Sequence, residues 1–148
     1  MGFMDKLKSA KNFVTGGGAE VLVAVEGASL TQPFTVNVSA RTTEGEMAIT
    51  RCYIKIRGSE RATVRKVETQ TGKRDVHSDV NTCELSVDLC GAGTLTTEGA
   101  QFSTQVTLPP GSLPSYNGRN AQHVYKVCAF LDKSGNDPDS GWVTFQVN

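Results

Sequence analysis

Arg51, Tyr53, Lys55 and Arg57 stand at spacing two and are the residues of this chain best suited to bind something. In an extended strand that spacing places all four side chains on one face. Three cations and a phenol on one face could meet the phosphates or carboxylates of a partner. Arg61, Arg65 and Lys66 follow, and they widen the basic surface if the next strand returns as a hairpin. A solvated outer sheet face, whose charges discourage edge-to-edge aggregation, has the same pattern.

The other polar groupings point less directly to chemistry. Asp132, Asn136, Asp137 and Asp139 supply oxygen ligands of the kind calcium takes. Lys133 and Pro138 interrupt the spacing of an EF-hand, and no Glu stands where that loop requires one. A turn-rich hairpin loop accounts for the same residues. Cys83 and Cys90 are too far apart for a metal-binding C-x₂₋₄-C pair, and His77 and His123 are isolated. Cys52 and Cys128 fall within strand patterns and read as structural residues. The chain has no G-x-S-x-G elbow and no phosphate loop, and its carboxylates are scattered over turns. It therefore reads as a non-enzyme with no cofactor.

The elements that must position these residues are strands. Phe34, Val36, Val38 and Ala40 alternate with Thr35, Asn37, Ser39 and Arg41, the period of a half-buried strand. Val21, Val23 and Val25 precede it in the same rhythm. Cys52, Ile54 and Ile56 point inward opposite the basic face. Gly58, Ser59 and Glu60 are expected to turn the chain into a mixed strand through Val64 and Val67, and the polar run 69–81 is expected to be an exposed loop. Leu85, Val87 and Leu89 mark a further strand. Phe102, Thr104, Val106 and Leu108 form another, which Pro109, Pro110, Gly111 and Pro114 end. Tyr125, Val127, Ala129 and Leu131 share a face of the next, and Val143, Phe145 and Val147 close the chain. Eight or nine short strands with frequent turns predict an all-β, two-sheet antiparallel sandwich.

Only residues 3–14 look helical, with Phe3, Leu7, Ala10 and Val14 near helical spacing. The domain reading is an amphipathic helix and Gly-rich joint over residues 1–18 and one sandwich over 19–148. Phe3, Leu7 and Val14 would make the helix's contacts, with the sandwich itself, with another subunit in a homo-oligomer, or peripherally with a membrane surface. Among 148 residues, 38% hydrophobic, no stretch is long and apolar enough to span a membrane or serve as a signal peptide. That suggests a cytoplasmic protein with reduced thiols. The formal net charge of zero argues against nucleic-acid binding. Yet residues 51–74 carry eight basic and two acidic groups, a net +6, and residues 75–148 three basic and eight acidic, a net −5.

Three stretches carry a resemblance to a family: AEVLVAVEG after the glycine run, AITRCYIKIRGSE, and FSTQVTLPPGSLPSYNGRNAQHVYKVCAFLD. In them the chain resembles the arrestin-like superfamily, and in particular the bacterial arrestin-like sporulation-control family. The third stretch is similar to the arrestin strand, proline-rich turn and returning Y-x-V-x-A strand. The resemblance implies an immunoglobulin-like sandwich of a single arrestin-type domain, used to bind protein without catalysis. An adaptor, scaffold or regulator acting through open sheet edges or the basic face fits it. A C2-like calcium- or lipid-binding module using residues 132–139 is the alternative.

Overall fold

The computed structural model describes residues 14–16, 18–135 and 137–148. Its strands, in chain order, are β1 (Val14–Gly16), β2 (Ala19–Glu26), β3 (Phe34–Thr42), β4 (Met47–Ile49), β5 (Arg51–Thr69), β6 (Gly72–Cys90), β7 (Gly93–Leu95), β8 (Ala100–Val106), β9 (Tyr116–Asn117), β10 (Ala121–Asp132) and β11 (Val143–Phe145). One sheet runs β1-β2-β3-β8 and the other β11-β10-β5-β6, with β9 also paired to β10. Every pairing is antiparallel. β10 and β11 lie against β2, and β6 lies against β8, so the two sheets form the expected sandwich.

The alternating patterns do what their period demands. Val21 and Val23 from β2, Phe34, Val36 and Val38 from β3, Ile54 and Ile56 from β5, and Val127 and Leu131 from β10 fill one core. β4 and β7 form a small two-stranded sheet beside it. Of the expected helix, only Val14 lies among the described residues, and it belongs to β1, paired with Val21. Gly16 pairs with Ala19, and Gly18 turns at φ +82°, so a hairpin stands at the expected glycine joint.

Two expectations for the middle of the chain are corrected. Gly58, Ser59 and Glu60 do not form a turn, and residues 69–81 are not a loop. β5 and β6 are each 19 residues long and pair along nearly their whole length. Among the described residues β5 is accompanied from Val64 outward only by β6, and this ribbon is wet on both sides: Val64 is 61% and its partner Val76 40% exposed, and residues 64–66 and 72–76 are all exposed. A strand without a dry face needs no apolar period, so its sequence looks like a loop. The hydrogen-bond ladder and the Thr69–Gly72 turn define it instead. Register shifts at Gly58/Ser59 and Val64/Val67 mark bulges, and Lys66 adopts φ +55° at the second.

Gly58 has a packing role. A Cβ there would sit 2.9 Å from the Tyr125 ring and 3.0 Å from the Thr82 hydroxyl. Tyr125 is fully buried and held at both ends, so it has nowhere to retreat. Gly58→Ala is therefore expected to destabilise the fold by about 1–3 kcal/mol in urea denaturation. Gly91→Ala, where nothing lies within 4 Å, should be close to neutral.

Past Val106 and the buried Leu108, the prolines end β8 as expected, and the segment to β9 is pinned to the core. The Tyr125 hydroxyl donates to the Leu113 carbonyl at 2.6 Å. His123 is fully buried, with Nδ1 3.0 Å from the Pro114 carbonyl and Nε2 2.5 Å from the Thr82 hydroxyl. A carbonyl only accepts, so Nδ1 carries the hydrogen, and in the neutral ring Nε2 accepts from Thr82. Ser115 N–H donates to Val147 O at 2.7 Å, and Val147 N–H returns a bond to Ser115 Oγ at 2.9 Å.

Candidate functional site

The outer face of the β11-β10-β5-β6 sheet gathers the expected basic residues. Arg51, Tyr53, Lys55 and Arg57 do point away from the core, because Cys52, Ile54 and Ile56 take the inward positions. Pairing with β10 sets Tyr53 opposite Phe130 and Lys55 opposite Cys128. Pairing with β6 sets Tyr53 opposite Asp88, Arg57 opposite Glu84 and Arg61 opposite Asp79.

This register turns the charge asymmetry of the sequence into a row of cross-strand ion pairs. Arg51 Nη1 lies 3.2 Å from Asp88 and its Nε 3.2 Å from Asp132. Arg57 Nη2 lies 3.3 Å from Glu84. Arg61 grips Asp79 with two bonds, of 2.7 and 3.1 Å. Arg65 lies 3.6 Å from Asp75 and donates to the Arg119 carbonyl and the Asn120 side chain. Hydrogen bonding to Asp132 holds the Arg51 guanidinium charged more firmly than usual, and the Arg61 hydrogen bond keeps the Asp79 carboxyl below its ordinary range. All these groups are solvent-exposed, so each pair adds little stability.

Beneath the charges is an aromatic platform that the sequence pattern did not reveal. Tyr53 is only 8% exposed and stacks on Phe130, with ring centroids 5.0 Å apart and planes 14° from parallel. Trp142 meets Phe130 edge-on at 6.4 Å and is 39% exposed. Each ring carries a cation: Arg51 over Tyr53 at 4.0 Å, Lys55 over Phe130 at 5.7 Å and Arg57 over Trp142 at 4.8 Å. Arg57 Nε is the buried side-chain polar atom without a hydrogen-bond partner among the described residues. Burial is the main cause raising the Tyr53 hydroxyl pKa. Cys128, on this face yet buried, is pushed up to about 11 by its burial.

Phe130 is legible only as an aromatic at an outward position of β10. Trp142 is legible only as the one tryptophan, placed after a polar loop. Their meeting with Tyr53 depends on register between strands far apart in sequence.

The remaining candidates do not join this platform. Phe3 and Leu7 lie outside the described residues, as does Asn136 of the proposed calcium loop. Asp132 is paired with Arg51, Asp137 Oδ1 accepts from Lys133 N–H at 3.2 Å, and Asp139 Oδ1 accepts from Gly141 N–H at 2.7 Å. Among the described residues no group of three or more His, Cys, Asp or Glu is placed to hold a metal ion. Nor is any described helix long and apolar enough to cross a membrane.

No protein-family model matches the chain, and no curated protein sequence matches it. Among solved structures it is similar to Spo0M, sporulation control protein, from Bacillus subtilis, with a TM-score of 0.59 and 19% identity. That match covers 90% of this chain and 50% of Spo0M, so the chain spans half of that protein's length. A β-glucosidase from Listeria innocua in complex with gluconolactone matches 88% of this chain and 16% of its own at 12% identity, and its TM-score of 0.32 carries no weight. The likeness to Spo0M shows a shared fold over 90% of this chain, the all-β sandwich of two antiparallel sheets expected from the sequence.

Proposed function

We propose that this domain is a non-enzymatic protein-interaction module, an adaptor or regulator, that binds its partner on the outer face around Tyr53, Phe130 and Trp142. The observation that carries the reading is the ring platform itself: three aromatic side chains from β5, β10 and the approach to β11, each beneath a cation, with Trp142 part-exposed. Trp, Tyr and Arg are the residue types that dominate binding energy in protein interfaces. The guanidinium groups of Arg51 and Arg57 sit in exposed ion pairs, which a partner's carboxylates can replace at low cost. Arg61 and Arg65 continue the face along the ribbon and form its outer limit. Spo0M shares the fold and is described as a sporulation control protein, which fits a regulatory task. Free thiols at Cys52 and Cys90, opposite one another across β5 and β6, fit a reducing cytoplasm.

Quantitative pull-down with the full chain tests this reading. Trp142→Ala and Lys55→Glu are each expected to weaken partner recovery at least about tenfold while the melting curve stays near wild type. Unchanged recovery with both folded variants would overturn it.

A further inference from the structure

The two sheets end in four strands, and three of them are protected against further pairing. β1 and β11 are three residues each. β6 is long but carries Lys73, Arg74, Asp75, Asp79, Glu84 and Asp88, and its pairing with β5 is broken by register shifts. Short length, charge and bulges are the usual means of blunting an edge. β8 has none of them. It is seven residues long, AQFSTQV, without a charge or a proline, and it pairs with β3 from Ala40↔Ala100 to Phe34↔Val106 without a register shift. Among the described residues no strand pairs with its other side, and Gln101, Ser103 and Gln105 are exposed. A straight, neutral, unpaired edge is a template for one more strand.

We infer that this strand is β8 of a second copy of the chain, paired antiparallel about a two-fold axis at Ser103. β8 is self-complementary in that arrangement. Gln101 faces the other copy's Gln105 twice, Phe102 faces Thr104 twice, and Ala100 faces Val106 twice. No like charges meet, because the strand has none. Gln105 Nε2 already donates to Thr35 Oγ1 at 2.7 Å, which fixes the amide and leaves its oxygen to accept from Gln101 of the second copy. Phe102, partly buried against the core, gains cover from the second copy's Thr104. The result is one continuous sheet across both copies, closed by symmetry so that no edge of β8 remains. A contact of two seven-residue strands is small, so the dimer is weak, with a Kd on the order of micromolar. The pairing uses none of Tyr53, Phe130 or Trp142, so it stands or falls separately from the proposed binding face.

Sedimentation equilibrium of the full chain from about 1 μM to about 1 mM tests the pairing, with a shift from monomer to dimer expected. Gln101→Lys/Gln105→Lys sets lysine against lysine at both outer pairs, and Gln101→Glu/Gln105→Glu sets glutamate against glutamate. Each variant alone is expected to dimerise at least about tenfold more weakly, and an equimolar mixture of the two should recover a heterodimer. Amide hydrogen exchange of wild type provides a reading that needs no variant: protection of residues 100–106 should rise with protein concentration. Monomer at every concentration, variants as dimeric as wild type, a mixture of folded variants that fails to associate, or exchange in β8 that ignores concentration would each overturn the assignment.

Discussion

Tyr125→Ala is expected to cost about 3–5 kcal/mol of folding stability, and Tyr125→Phe only about 1 kcal/mol. The ring is fully buried and lies in a chain of aromatic contacts that crosses the sandwich. His123 meets it edge-on at 4.9 Å, Phe145 of β11 lies 5.7 Å from it, and Phe34 of β3 lies 6.1 Å from Phe145. Removing the ring opens a cavity at the joint between the sheets and takes away the wall against which Gly58 is packed. Removing the hydroxyl alone leaves packing intact and frees one carbonyl, that of Leu113. Urea denaturation followed by circular dichroism gives both values. Hydrogen exchange separates them further: the phenylalanine variant should loosen mainly residues 109–118, the alanine variant the whole sandwich. Gly58→Ala should also be milder in the Tyr125→Ala background than alone, since the ring it strikes is gone. Equal costs for the two Tyr125 variants would show that the loop bond matters and the ring does not.

How legible each part was in the sequence depended on whether one face of a strand is dry. In β3 the apolar positions Phe34, Val36, Val38 and Ala40 are all buried, as the alternation requires, because β2 and β8 flank the strand and the other sheet covers it, while Asn37 and Ser39 on its polar face are buried too. The strands on either side of the proline turn, now β8 and β10, were legible for the same reason. Residues 72–81 of β6 have two wet faces, so nothing in their order distinguished strand from loop. Gly58 is a common turn residue, and only the three-dimensional register shows that its missing side chain makes room for Tyr125. The basic run and the acidic run were each visible, but their cancellation was not. Pairing Arg51 with Asp88, Arg57 with Glu84 and Arg61 with Asp79 requires the hairpin that the polar run concealed. The aromatic platform was hidden in the same way, since Tyr53, Phe130 and Trp142 meet only once β5, β10 and the β11 approach are aligned.

Stability is expected to fall steeply from about pH 9 upward, and two buried thiols are a main cause. Burial, with a smaller contribution from neighbouring Cys90, raises Cys52 from an ordinary value of 9.0 to about 12. Burial raises Cys128 from 9.0 to about 11, against hydrogen bonds involving Ser140 that lower it. In the unfolded chain both thiols lose their protons near pH 9, while the folded chain keeps them. The unfolded state then binds fewer protons, so stability declines as pH rises; below pH 9 the contribution is fully present. The slope is about 1.4 kcal/mol per pH unit for each thiol between its unfolded and folded values. Tyr125 and Tyr53, also raised chiefly by burial, add to the loss at higher pH. Melting temperatures measured from pH 7 to pH 11.5 should therefore drop less in Cys52→Ala/Cys128→Ala than in wild type, with the tyrosine part remaining. Equal slopes in the two proteins would remove the thiols from the account. Cys128 is buried on the outer face opposite Lys55, so its ionisation should also disturb the Phe130 and Trp142 platform. Tryptophan fluorescence from the single Trp142 should consequently change before global unfolding in wild type, and later in Cys128→Ala.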